Sequence, residues 1–87
     1  MVSRELMLMN GGGFHLRPAG EFALAMSKYS SEITIKFGGN TVNGKSVTDM
    51  LKAGINNGAG ITVECSGSDE KAMLEEASAI IAGGLFL

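Results

Sequence analysis

Hydrophobic residues recur along the chain with two different periods. From Glu32 to Phe37 they alternate strictly, with Ile33, Ile35 and Phe37 on one side and Glu32, Thr34 and Lys36 on the other, which predicts a half-buried strand. The alternation returns at Ile61, Val63 and Cys65 against Thr62, Glu64 and Ser66, predicting another strand. Between these segments and the start of the chain the period changes. Ala19, Phe22, Ala23 and Met26 stand at i, i+3, i+4 and i+7, leaving Glu21 and Lys28 off the stripe, as in an amphipathic helix. Pro18 marks its start, because a first-turn residue has no intrahelical partner for an N–H.

The remaining elements follow from punctuation as much as from periodicity. Val2 to Met9 is apolar and nearly unbroken, and the stop at Gly11, Gly12 and Gly13 suits a buried strand better than a helix. Gly38-Gly39-Asn40 predicts a tight hairpin that returns the chain through Thr41 and Val42. Ser46 begins a short helix carrying Met50, Leu51 and Ala53, which Gly54 ends in the left-handed conformation. A final helix opens at Ser68, with Asp69 and Glu70 in a first turn that favours acids and with Met73, Ala77, Ile80 and Ile81 as its apolar face. The order is β-α-β-β-α-β-α. Strands that alternate on one side imply an α+β fold, an antiparallel sheet with helices on one face.

The 87 residues suffice for one domain spanning 1–87, and a mean hydropathy of +0.20 fits a folded unit rather than a disordered tail. The net charge of −2 argues against nucleic-acid binding, but it hides a gradient. Residues 1–52 hold six Lys and Arg against four acids, and residues 53–87 hold one Lys against five. An anionic ligand or acidic partner should therefore prefer the first part. The lone Cys65 forms no internal disulfide, and neither a leader nor a long apolar run is visible, so a cytoplasmic protein without membrane insertion is expected.

The single histidine lies in Gly13-Phe14-His15-Leu16-Arg17-Pro18-Ala19, between a glycine-rich turn and a helix start. Unpaired N–H groups and the helix dipole make such a start a place for an anion, and Arg17 adds a planar donor fork suited to phosphate. Both disfavour an imidazolium, pushing His15 below the reference of about 6.5 and keeping a ring nitrogen free to attack phosphorus. Two readings of the residues stay open: a phosphoryl acceptor, or a histidine that merely caps a helix. One His and one Cys fifty residues apart do not form a metal site, and Cys65 reads as a buried structural thiol.

The segment Gly13 to Ala19 resembles the active-site signature of the HPr family, and Val42-Asn43-Gly44-Lys45-Ser46 resembles that family's second signature, at the expected separation. The resemblance covers essentially the whole chain. It implies an open-faced β-sandwich with a four-stranded antiparallel sheet and three helices on one face. It further implies a phosphocarrier without a cofactor, rather than a turnover enzyme: Enzyme I, charged by phosphoenolpyruvate, phosphorylates Nδ1 of His15, and sugar-specific IIA domains receive the group while Arg17 steadies the phosphate. Gly13, Leu16 and Pro18 form the loop and helix start. The chain departs from the family pattern at Gly12, usually Thr or Asn, at Leu16, commonly smaller, and at Thr48 and Asp49, where relatives present more apolar residues. A more flexible loop and specialised partner recognition are expected.

Ser46 has two compatible readings, a helix N-cap in capping-box spacing with Asp49 and, by resemblance, a regulatory site for an HPr kinase/phosphorylase. Val47, Met50, Leu51 and Lys52 are the expected partner surface, because helix periodicity cannot turn Val47, Met50 and Leu51 all inward. Arg17, Lys28, Lys45 and Lys52 either ring that patch or are solvated charges. A monomer is expected; the apolar tail Leu85-Phe86-Leu87 either folds back on the core or pairs two chains weakly. The competing functions are an HPr-like effector of a transcription factor or enzyme, a carrier serving nitrogen regulation, and a small RNA-binding module, the last disfavoured by the absence of a basic excess and of aromatic-rich strands.

Overall fold

A computed structural model describes residues 1–7, 16–54 and 60–82, the side chains of Leu16 and Arg17 excepted. Seven elements follow one another: β1 (Val2–Met7), α1 (Leu16–Met26), β2 (Glu32–Phe37), β3 (Asn40–Asn43), α2 (Val47–Ala53), β4 (Gly60–Ser66) and α3 (Glu70–Ala82). The four strands form one antiparallel sheet in the order β1-β4-β2-β3. Only β2 and β3 are joined by a hairpin. The other two connections each carry a helix past one strand: α1 leads from β1 to β2 across β4, and α2 leads from β3 to β4 across β2.

Alternation decides which face the helices cover. Ile33, Ile35, Val42, Ile61, Val63 and Cys65 are all buried and point the same way, while Thr34, Lys36, Thr62 and Glu64 lie on the opposite, open face. Lys36 and Glu64 pair diagonally there at 3.1 Å. From the helices, Ala19, Phe22, Ala23 and Met26 of α1, Met50 of α2, and Met73, Leu74, Ala77 and Ile81 of α3 close the core. The α1 stripe read from the sequence is therefore the buried face.

The hairpin is a two-residue turn in which Gly38 and Gly39 have φ of 57° and 84°, the pair of positive values a type I′ turn needs; Asn40 already belongs to β3. Gly54 ends α2 at φ 66°.

Three expectations need correction. The first strand is not buried: β1 is an edge strand with β4 as its one neighbour, and only Val2 and Leu6 are half-buried, because Ser3, Arg4 and Glu5 interrupt the apolar run. Residues 8 and 9 lie outside the described residues. The last helix begins at Glu70 rather than Ser68, with the Asp69 carbonyl accepting the first helical N–H, from Met73, at 3.0 Å. Its buried face is also wider than expected. Leu74 and Ser78 are buried beside Met73, Ala77 and Ile81, whereas Ile80 is only half-buried, because α3 packs on α1 as well as on the sheet.

Candidate functional site

Met7, the last residue of β1, pairs with Gly60, the first of β4, so the end of β1 and the start of β4 lie at the same end of the sheet. α1 follows β1 along the chain. Leu16 and Arg17 are its first two residues and Pro18, the third, is buried, which anchors the first turn against the core. No acidic residue stands in this turn, so the positive end of the helix dipole is not neutralised within α1. His15 immediately precedes it. His15 and Gly13 lie outside the described residues, as do the side chains of Leu16 and Arg17, Gly12, and the tail Leu85-Phe86-Leu87.

The second group of expected site residues is on α2. Ser46 is its N-cap, with extended backbone (φ −111°, ψ 111°) and a hydroxyl oxygen that accepts the Asp49 N–H at 3.2 Å. Half of the expected capping box forms; the Ser46 N–H donates instead to the Asn43 carbonyl at 3.0 Å. Met50 is fully buried and belongs to the core, which removes it from the expected partner surface. With Met50 inward, each further residue turns about 100° around the axis, carrying Leu51 to the margin and Lys52 outward. Leu51 is 39% exposed, Lys52 is exposed, and Val47 is half-buried against the core.

One exposed residue escaped the sequence reading. Leu24 is 73% exposed, about 200° around α1 from buried Phe22, and α1 lies directly beside α2. The available signal was an apolar side chain at a position off the Ala19–Phe22–Ala23–Met26 stripe. Leu24 and Leu51 thus give adjacent helices an exposed apolar residue each.

The lysines divide. Lys28 is bound at 3.0 Å to Glu76 of α3, whose carboxyl also accepts the Tyr29 hydroxyl and is held below its usual range by that bond first and by Lys28 second. The Lys45 ammonium donates to the Tyr29 carbonyl at 2.8 Å. Lys52 forms no ion pair among the described residues. Of the cations expected to ring the patch, Lys28 and Lys45 therefore serve the packing of α1.

Comparison with known proteins places this geometry. Residues 2–83 match the family described as PTS HPr component phosphorylation site. The chain is 35% identical over 81 residues to the phosphocarrier protein HPr of Buchnera aphidicola subsp. Acyrthosiphon pisum, covering 93% of this chain and 95% of that protein. Among solved structures, HPr-C-His of Thermoanaerobacter tengcongensis superposes with a TM-score of 0.89 at 28% identity, over 93% of this chain and 91% of that one. The phosphocarrier protein HPr of Bacillus anthracis superposes with a TM-score of 0.88 at 30% identity, over 92% and 95%. The family match over residues 2–83, together with identity and superposition over nearly the whole length of these relatives, places the chain in the HPr family, the phosphocarrier proteins of the phosphotransferase system.

Proposed function

We propose that His15 accepts a phosphoryl group on Nδ1 from phosphoenolpyruvate-charged Enzyme I and passes it to sugar-specific IIA domains, in the cytoplasm and without a cofactor. The neutral ring attacks phosphorus through its Nδ1 lone pair. The Nδ1–P bond forms as the bond from phosphorus to the donor atom breaks, and that electron pair stays with the donor. Arg17 steadies the transferred group, and Gly13, Leu16 and Pro18 carry the loop and helix start around it. The chain ends each cycle unchanged, a carrier whose reactions are those of its partner proteins.

The observation that carries this role is the start of α1: a helix N-terminus anchored by buried Pro18, free of acids in its first turn, directly after the one histidine. Such a terminus favours an anion by about 0.3–2 kcal/mol, a modest electrostatic support for a group that the Nδ1–P bond holds and that must be passed on. Val47, Leu51 and Lys52 of α2, joined by Leu24 of α1, form the face that Enzyme I and the IIA domains grip.

Ser46 is a regulatory site on the flank of that face, the target of a kinase of the HPr kinase/phosphorylase class. Lys45, its neighbour, touches the turn after α1, so Ser46 stands near the end of α1 remote from His15. An 11-residue helix is about 16 Å long. A phosphate there, with roughly −1.5 to −2 charges, would weaken docking beside Asp49 and the apolar face without touching the reacting ring.

Labelled phosphoenolpyruvate, Enzyme I and the chain provide the test. The parent should acquire acid-labile label and pass it to a IIA domain, while His15→Ala should take none and keep its fold; label on the alanine variant would overturn the assignment. Ser46→Asp should raise the apparent KM for the carrier, and kinetics equal to the parent would leave Ser46 a cap only.

A further inference from the structure

α1 reaches its carboxyl end without a basic residue in its last turn, and Lys28, the first basic residue beyond it, is drawn away to Glu76. The carbonyls of that end take local donors instead: the Ser27 N–H and the Ser27 hydroxyl both donate to the Ala23 carbonyl, at 3.0 and 2.7 Å. The chain tightens after Met26 through Lys28 N–H to Ala25 carbonyl and Tyr29 N–H to Met26 carbonyl, and the Tyr29 carbonyl then receives the Lys45 ammonium at 2.8 Å across 16 residues. The neighbouring residue, Ser46, caps the amino end of α2.

We propose that Lys45 is a positioning residue that sets α2 against α1, so that one dipeptide, Lys45-Ser46, grips the turn that follows one helix and caps the amino end of the next. Its effect on phosphotransfer rests on the docking face described under the proposed function. α2 is only seven residues long and cannot hold a helix or a place by itself. It is held by buried Met50, by its two caps and by the turn that leads into it. That turn is ordered internally, with the Lys45 N–H on the Asn43 side-chain oxygen at 2.9 Å and the Gly44 N–H on the Ile33 carbonyl at 2.9 Å. These bonds tie the turn to itself and to β2. The Lys45 side chain ties it to α1, through a residue whose hydroxyl is already fixed to Glu76 of α3. Tyr29 is thus held at both ends, and α2 is registered on the same point as α1 and α3. Leu51 and Leu24 depend on that register for their mutual placement.

Lys45→Met removes the donor while keeping the length of the stem, and Lys45→Arg restores a cation that reaches as far. Residual dipolar couplings measure the orientation of α2 relative to α1 in each protein. The methionine variant should show a changed or averaged orientation with the sheet unmoved, and the arginine variant should match the parent; an unchanged orientation in Lys45→Met would overturn the proposal. In Enzyme I kinetics Lys45→Met should raise KM for the carrier roughly three- to tenfold with kcat within about twofold, as expected of a misplaced docking surface, and Lys45→Arg should return KM toward the parent. A loss in kcat alone, or no rescue by arginine, would refute a positioning role. If Enzyme I phosphorylates none of the three proteins, the phosphocarrier role fails while the couplings still decide the place of Lys45.

Discussion

Ser31 and Asp69 bind each other in both directions. The Ser31 hydroxyl and its backbone N–H, the latter at 2.9 Å, both donate to one Asp69 carboxylate oxygen, and the Asp69 N–H donates back to the Ser31 hydroxyl oxygen at 3.1 Å. The other carboxylate oxygen accepts the Ser30 N–H at 3.0 Å. The turn into β2 and the start of α3 are joined here, 38 residues apart in sequence.

These donors hold the Asp69 carboxyl down at about 2, the Ser31 hydroxyl contributing most and the Ser30 N–H next. A carboxyl depressed on folding stabilises the fold above its unfolded pKa of about 4, and that contribution is lost as pH falls through the folded value. Urea unfolding of the parent should weaken between pH 4 and 2. Asp69→Asn should be less stable at pH 7, and its difference from the parent should shrink across that window; a constant difference would show that ionisation of Asp69 adds nothing.

Gly67 closes the same corner. Its φ is 151°, and a Cβ there would come within 2.6 Å of the Ser31 Cα, a backbone atom that cannot swing aside. Gly67→Ala should cost about 1–3 kcal/mol in denaturant unfolding. Gly20→Ala is the control, because a Cβ at that helical position meets nothing within 4 Å, and it should raise stability by about 0.5–1 kcal/mol.

Ser78 is buried, and its hydroxyl has no hydrogen-bond partner among the described residues. A buried polar group left unpaired costs about 1–3 kcal/mol, so Ser78→Ala should stabilise the protein by about 1 kcal/mol. A fall in the urea midpoint would reveal a partner for the hydroxyl.

Met50 and Leu51 are neighbours with opposite environments. Met50→Ala empties a core position and should cost about 2–5 kcal/mol, whereas Leu51→Ala should stay within about 0.5 kcal/mol of the parent. In phosphotransfer the order should reverse for docking: Leu51→Ala and Leu24→Ala raise KM for the carrier, and a conservative Met50→Leu leaves it unchanged. Equal KM values for all of them would place the docking face elsewhere.

Local chemistry written into the sequence determined much of this protein. Strict alternation in β2 and β4 settles which side chains face the helices, because the pleat turns every second residue to the same side. The glycines of the hairpin and of the α2 end are legible because only residues tolerant of positive φ fit there, and Ser46 is legible as a cap because its partner is three residues away. The segment from Gly13 to Ala19 marked the family before any geometry was known. What the tertiary structure decided are relations between residues distant along the chain. Ser3, Arg4 and Glu5 suit an exposed strand, but β1 became an edge because β4 inserts between it and β2, a pairing with a distant segment of the chain. Met50 turned inward and Leu51 outward because of where α2 settles. Lys45 on Tyr29 and Ser31 on Asp69 join residues 16 and 38 apart, and such bonds exist only once packing has brought both partners to the same corner.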